Sequence, residues 1–266
     1  MPLKWLTPPE LSSFVINHTR SNNPFSMLRF GDGEYGICKY VKQLASRSEF
    51  YDRFERWFPL DDIPHEELVT LSKNVLEAFQ HTDLLGVPCF KEAYGYPKWS
   101  MLDKFLEDNG MMNKKMFYFY DIFTLWRNFD TFGHVLNNRK EAFYIGSRDI
   151  GEGLKCRFNI GTVHQMLLQP EYFMWKGKNS GLSKFVEEWQ GPRHYPEMYK
   201  AVCDWIDNFD DLKGKLFLVG AGGLGKIYCD HVRQHGGQSL DVGALVDGWA
   251  GLVTRPNLVD IQHYIL

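Results

Sequence analysis

The sequence predicts an α/β protein with a mostly parallel sheet that is covered by helices on both faces. Short, almost wholly apolar segments, typical of buried strands, alternate with longer segments in which apolar residues recur at helical spacing. Two of the apolar segments also run directly into clusters of glycine. The alternation predicts the fold class, and the glycine clusters indicate where a ligand would bind.

The first elements have clear sequence signals. Thr7, Pro8 and Glu10 form a capping box with a proline in the first turn, which predicts a helix that extends to about Arg20. A strand is predicted over 25–30, and it leads into the first glycine cluster. A second helix is predicted after Pro64, followed by a buried strand over 83–88. Its apolar positions at helical spacing are Leu68, Leu71, Val75 and Phe79.

The rest of the chain continues the alternation. The apolar segments predict strands over 116–123, 142–146, 172–175 and 216–219. An amphipathic helix is predicted before Lys213, with apolar residues Tyr199, Val202, Trp205, Ile206 and Phe209.

Composition excludes several classes of protein. The 266 residues are 44% hydrophobic and 24% charged, which is typical of a soluble globular protein rather than a disordered or fibrous one. The net charge of −3 gives no overall attraction to nucleic acid or to an anionic membrane. No apolar run approaches the roughly 20 residues of a membrane helix, and the start lacks the apolar stretch of a signal peptide. We therefore expect a cytoplasmic protein with no integral membrane segment, in which the five scattered cysteines are reduced thiols.

The second glycine cluster, over 220–225, comes after a predicted strand and opens a predicted helix. This is a phosphate-binding geometry, because glycine lets the backbone approach the ligand and the helix N-terminus offers free N–H groups. The residues that we expect to bind a phosphate-bearing ligand here are Gly220, Gly222, Gly223, Lys226 and Asp241.

Two other interpretations of the second cluster stay open. The glycines can simply form a tight structural turn. Alternatively, Gly220, Gly222, Gly225 and Asp241 match a dinucleotide-binding fingerprint, which predicts an NAD-dependent oxidoreductase. However, such a fingerprint normally opens its domain, and too little chain remains after it here for the other strands and helices.

The first glycine cluster is the segment RFGDGE, from Arg29 to Glu34. In a loop after a strand, Asp32 and Glu34 would present oxygen ligands to Mg²⁺ or Mn²⁺, and the ion would neutralise a diphosphate. The alternative is structural, because Asp-Gly between apolar stretches is also a strong hairpin signal. The spacing alone does not choose between them.

Together, RFGDGE, the LVGAG segment over 218–222 and the LDVGALVD segment over 240–247 resemble the GT-D type glycosyltransferases of bacterial surface-glycan and glycoprotein assembly. The resemblance spans most of the chain and implies a single GT-D-like domain over 1–266 with a Rossmann-like fold. It also implies that Asp32 and Glu34 are the catalytic, metal-binding pair at the nucleotide-sugar donor.

Further residues are expected around the donor. Gly31 and Gly33 flank the acidic pair, and Arg29 would pair with phosphate, orient the carboxylates, or form a structural ion pair. Gly146 ends a predicted strand, so Arg148 is expected at the ligand crevice as a second phosphate-binding cation.

The acceptor side has weaker signals. His134, His164 and Asp121 are polar residues near predicted element ends, and each is a candidate general base as well as a plausible structural residue. The aromatic stretches over 94–99 and 172–175 would stack on sugars or fill the core.

The sequence thus predicts a metal-dependent hexosyl- or pentosyltransferase that uses Mn²⁺ or Mg²⁺. It would move a sugar from a nucleotide-sugar donor, by expectation a UDP-sugar, to a hydroxyl on a glycan, a glycoprotein or a modified phage DNA base. The alternatives are the NAD-dependent oxidoreductase and a nucleotide-binding module without catalysis. A homo-oligomer is left open.

Overall fold

The computed structural model describes residues 4–41, 63–88, 102–169, 191–254, 258 and 260–266. The strands are β1 (Lys4–Trp5), β2 (Phe25–Arg29), β3 (Leu84–Val87), β4 (Lys115–Tyr118), β5 (Glu141–Gly146), β6 (Thr162–Leu167), β7 (Leu216–Gly220) and β8 (Gln238–Asp241). The α-helices are α1 (Pro8–Arg20), α2 (Asp32–Val41), α3 (His65–His81), α4 (Leu102–Asp108), α5 (Asp121–Asn128), α6 (Thr131–Leu136), α7 (Gly151–Phe158), α8 (Tyr199–Asp207), α9 (Gly225–Gln234) and α10 (Leu245–Trp249).

The eight strands form one sheet in the order β1-β4-β3-β2-β8-β7-β5-β6. Each pair of neighbouring strands is parallel. At the centre, β2 from near the start of the chain lies beside β8 from near its end, with Met27 opposite Leu240. The predicted fold class is confirmed: this is a Rossmann-like α/β fold. Because all the strands are parallel, their carboxyl ends lie at the same edge of the sheet.

Helices cover both faces of the sheet because successive strand residues point to opposite sides. Leu28 packs in one apolar cluster, together with α2, α3, α4, α8 and α9. Met27 packs in the other, together with α1, α5, α6, α7 and α10. Strands buried on both sides explain why the sequence shows continuous apolar segments rather than alternation.

The predicted start of α1 is confirmed. The backbone N–H of Thr7 donates to Glu10 Oε2 at 2.8 Å, and the Thr7 hydroxyl donates to the same oxygen at 2.7 Å. Leu11 and Val15 are then buried one turn apart on the sheet side of the helix. Capping and amphipathic spacing therefore agree in this element.

The strand predictions differ from the structure in two places, and one predicted strand lies outside the described residues. The segment 116–123 is a strand only to Tyr118, and helix α5 begins at Asp121, where an acidic side chain suits the positive end of a helix. Strand β6 was not predicted, because it is an edge strand in which His164 and Gln165 interrupt the apolar pattern. The segment 172–175 lies outside the described residues.

Among the described residues, no helix combines the length and the apolar character that a membrane crossing requires.

Candidate functional site

A crevice forms at the carboxyl ends of the central strands, because the helices that follow neighbouring strands lie on opposite faces of the sheet. Strands β2 and β7 continue into α2 and α9 on one face, while β8 and β5 continue into α10 and α7 on the other. In open α/β sheets, ligands bind at such topological switch points. The residues that end these four strands are Arg29, Gly220, Asp241 and Gly146.

Arg29 and Asp241 join β2 to β8 at the crevice. The Arg29 backbone N–H donates to Asp241 Oδ2 at 3.1 Å, its Nε donates to the Asp241 carbonyl at 3.2 Å, and its Nη2 lies 3.3 Å from Oδ1. The arginine side chain is 14% exposed, and that of Asp241 is 4% exposed. The guanidinium is therefore fixed by its partner in a side chain that keeps some exposure to solvent.

Lys226, in the first turn of α9, connects the two glycine clusters. Its Nζ lies 2.6 Å from Asp241 Oδ2 and 3.2 Å from Glu34 Oε1, and its side chain is 3% exposed. Burial alone would lower the pKa of Lys226, but Asp241 and Glu34 outweigh it and the pKa is raised. Burial likewise would raise the pKa of Asp241, but Arg29 and Lys226 outweigh it and hold that pKa below its ordinary value. Both groups are thus charged at neutral pH.

The first glycine cluster opens a helix rather than a loop or a hairpin, which corrects both expectations. Helix α2 starts at Asp32, and Glu34 Oε2 accepts the backbone N–H of Gly31 at 3.1 Å. A glutamate in this position closes the first turn of a helix, as in a capping box. Gly33 is buried in that turn. The Asp32 side chain lies outside the described part of the chain, and positions two apart on a helix do not share a face.

The described residues do not fit a divalent ion held by Glu34. One of its oxygens faces the Lys226 ammonium, and the other caps the N–H of Gly31. Both oxygens of Asp241 are also engaged, by Arg29 and Lys226. The buried ammonium therefore occupies the position between two carboxylates that a metal ion would take. Asp32 as a metal ligand stays a prediction.

The second glycine cluster forms the predicted turn at the start of α9. Gly222 has a φ of 56°, in the left-handed region that favours glycine. Among the described residues, no acceptor pairs with the backbone N–H groups of Gly222 and Gly223. A Cβ at Gly220 would come within 2.9 Å of Val246, so glycine is also needed there for packing. The turn opens α9 at the carboxyl end of β7, so N–H groups that have no acceptor among the described residues lie at the edge of the sheet where an anion would bind.

Gly243 is a site residue that the sequence did not reveal. It has a φ of 45°, and a Cβ at this position would overlap the Arg29 guanidinium. The residue lies in the LDVGALVD segment, but its role depends on an arginine from the opposite end of the chain.

Arg148 is buried in an ion pair rather than exposed at the crevice. Its Nε lies 2.8 Å from Asp247 Oδ1, and Asp247 Oδ2 accepts the Thr254 hydroxyl at 2.5 Å. Tyr144 lies against Gly146, so that a Cβ there would overlap the phenol. The Arg148 guanidinium thus already joins β5 to α10 through Asp247, and its phosphate-binding role stays a prediction.

The three candidate bases lie in different places. His134 is exposed near the end of α6, and His164 stacks on Phe143 with ring centroids 4.7 Å apart. Only Asp121 lies just beyond the carboxyl end of a strand, β4, and burial raises its pKa to about 6 despite a hydrogen bond from Thr124. The exposed ring of Tyr120 precedes it. The aromatic stretch 94–99 lies outside the described residues.

Comparison with known proteins shows a shared fold. No protein-family model and no curated protein matches the chain. One solved structure, described as "The highly conserved domain of unknown function 1792 has a distinct glycosyltransferase fold", is 15% identical with a TM-score of 0.54, covering 91% of this chain and 78% of its own. Another, "A New Glycosyltransferase (DUF1792) from Streptococcus sanguinis", is 14% identical with a TM-score of 0.54, covering 91% and 81%. At this identity the similarity shows the fold.

Proposed function

We propose that this protein is a glycosyltransferase that binds the diphosphate of a nucleotide sugar where β2, β8 and β7 end. The observation that carries the proposal is the glycine turn of α9, in which the N–H groups of Gly222 and Gly223 have no acceptor among the described residues, at the same edge of the sheet as Arg29. The choice of sugar transfer over other nucleotide chemistry rests on the shared fold, which two solved structures described as glycosyltransferases also have.

Sugar transfer from such a donor requires stabilisation of the nucleoside diphosphate that leaves. Positioned N–H groups and cations supply this stabilisation, because negative charge develops on the leaving oxygen. Here the start of α9 provides N–H groups, and the partly exposed Arg29 provides a cation. The buried Lys226 instead keeps Asp241 and Glu34 in place, so it is a positioning residue.

A divalent ion enters the proposal only through Asp32. If bound there, it would supply further charge neutralisation to the diphosphate. Glu34 and Asp241 are held by Arg29, Lys226 and Gly31, so no part of the mechanism is assigned to an ion at these carboxylates.

The same contacts argue against the oxidoreductase alternative. A dinucleotide-binding fold uses the acid after the second strand to accept the ribose hydroxyls. Asp241 occupies the equivalent position in sequence, but Arg29 and Lys226 already take both of its oxygens. No observation in the described structure favours NAD over a nucleotide sugar.

The test is release of nucleoside diphosphate from a panel of nucleotide sugars, with and without chelator, and binding of NAD by calorimetry. The proposal predicts release from at least one donor, and a decrease of about 10²-fold or more in Arg29→Met. Arg20→Met, an exposed residue at the end of α1, is the control and should retain activity. Binding of NAD without release from any donor would support the oxidoreductase, and donor binding without turnover would support a binding module.

Asp121 is our candidate for the general base that activates the acceptor hydroxyl. It follows β4, which lies two strands from β2, at about 10 Å along the sheet, and this spacing leaves room for a donor sugar between the two strand ends. A base must be deprotonated, so kcat/KM for transfer should rise with pH around a value of about 6.

Asp121→Asn should lower transfer to acceptor by about 10²-fold or more and remove this pH dependence, while donor binding is unchanged. Asp108→Asn, an exposed aspartate in an i,i+4 ion pair, is the control. An unaltered pH profile in Asp121→Asn would show that another group is the base.

A further inference from the structure

A second cluster of chemically active side chains lies at the other end of α9 from the glycine turn. His231 is in the last turn of α9, His235 caps that helix, and Asp207 is the last residue of α8. Asp207 Oδ1 lies 2.7 Å from His231 Nε2 and 3.4 Å from His235 Nε2. Among the described residues, this is the one group of three metal-ligating side chains whose ligand atoms all lie within 4.8 Å of one another.

The proton positions on His235 explain why the cluster suits a cation. His235 Nδ1 lies 2.8 Å from the backbone carbonyl of His231, so it donates its hydrogen to that oxygen. In a neutral imidazole the other nitrogen, Nε2, then carries a lone pair. That lone pair faces the oxygen of Asp207, so two electron-rich atoms point at each other. A cation between them, either a proton or a metal ion, removes the conflict.

The 3.4 Å between Asp207 Oδ1 and His235 Nε2 is close to the spacing of two ligands on one transition-metal ion, whereas the 2.7 Å from Asp207 Oδ1 to His231 Nε2 is a hydrogen-bond distance that would lengthen on metal binding. Zn²⁺ binds His nitrogen and carboxylate oxygen at about 2.0–2.2 Å, which places tetrahedral ligand atoms about 3.3 Å apart. The bond from His235 Nδ1 to a backbone carbonyl is also the contact that typically orients a ligating histidine. Two histidines four residues apart at the end of one helix supply the remaining geometry.

We propose that Asp207, His231 and His235 bind a transition-metal ion of the Zn²⁺ class, with water completing the coordination. The Asp207, His231 and His235 side chains are 46%, 24% and 46% exposed, so an ion can enter from solvent. The ion would join the carboxyl-terminal ends of α8 and α9 on one face of the sheet. The site is independent of the proposed donor site.

The test uses untagged protein that is stripped with chelator, exchanged into fresh buffer and titrated with Co²⁺, whose visible absorption reports coordination by nitrogen and oxygen. Zn²⁺ should displace Co²⁺ and raise the melting temperature. His235→Ala and Asp207→Asn should weaken binding by about 100-fold. His263→Ala removes a histidine that also lies near a carboxylate, 3.5 Å from Asp260 but without a second histidine, and should bind as the wild type does.

Absence of a Co²⁺ spectrum in the wild-type protein would overturn the proposal, as would equal binding by His235→Ala and His263→Ala. Because His235 is on the surface, we expect its variant to fold. Circular dichroism of each variant before titration separates loss of binding from loss of structure. The readouts do not involve transfer activity, so they are independent of the proposed function.

Discussion

Replacing Lys226 with methionine is expected to lower the free energy of unfolding by about 3–5 kcal/mol. The ammonium is buried between Asp241 and Glu34, so among the described residues its removal leaves Glu34 without a cationic partner and Asp241 with Arg29 alone. An unpaired buried carboxylate is costly, because it has lost both its partner and its water. Release of nucleoside diphosphate should also fall, since α2 and α9 are held together at this point.

Urea unfolding followed by circular dichroism measures the change. Lys200→Met is the matched control: Lys200 forms an exposed i,i+4 pair with Asp204, and such pairs contribute about 0.5 kcal/mol or less. We expect a clearly larger loss of free energy of unfolding in Lys226→Met than in Lys200→Met. Equal, small losses would mean that the buried network does not hold the edge of the sheet together.

Replacing Gly243 with alanine is expected to lower the free energy of unfolding about as much as the loss of Lys226. Two costs combine: a left-handed backbone costs about 1–2 kcal/mol for a residue with a side chain, and the new Cβ displaces the Arg29 guanidinium from Asp241. Breaking that buried pair adds about 3 kcal/mol or more. Donor turnover should be lost, because Arg29 is the cation that we place at the diphosphate.

Gly236→Ala separates these costs. Gly236 has a φ of 91°, and nothing lies within 4 Å of a Cβ there, so this variant has the backbone strain alone. Urea unfolding and diphosphate release on both variants give the comparison. If Gly243→Ala is no less stable than Gly236→Ala and retains turnover, the placement of Arg29 against Gly243 is wrong.

The sequence predicted the elements around the site better than the contacts within it. The strand before each glycine cluster and the helix after the second were predicted, because local apolar patterns and turn chemistry specify them. The ion pair of Arg29 with Asp241 was not, since it joins residues 212 positions apart through the pairing of β2 with β8. Local patterns carry no information about that register.

The first glycine cluster shows a different limit. Asp-Gly is compatible with a hairpin, a loop or the start of a helix, and the choice depends on the residues after the dipeptide. Tyr35, Ile37 and Cys38 pack into the same core cluster as Leu28, on one face of the sheet. Their spacing was available in the sequence, so the helix was predictable, but the capping role of Glu34 was not.

The two metal predictions are separable by one variant. If chelator abolishes activity, the cause could be an ion at Asp32 or an ion at Asp207, His231 and His235. His235→Ala should retain the activity and its response to chelator if the ion acts at Asp32, since the second cluster lies at the opposite end of α9. If the activity of His235→Ala no longer responds to chelator, the metal effect arises instead at Asp207, His231 and His235.

The most direct measurement of the central claim is amide hydrogen exchange with and without a saturating nucleotide sugar. If the donor binds at the carboxyl edge of β2, β7 and β8, protection should increase at residues 29–35, 220–226 and 241–245, which surround the crevice. Unchanged exchange in these three segments, with new protection elsewhere, would contradict the account.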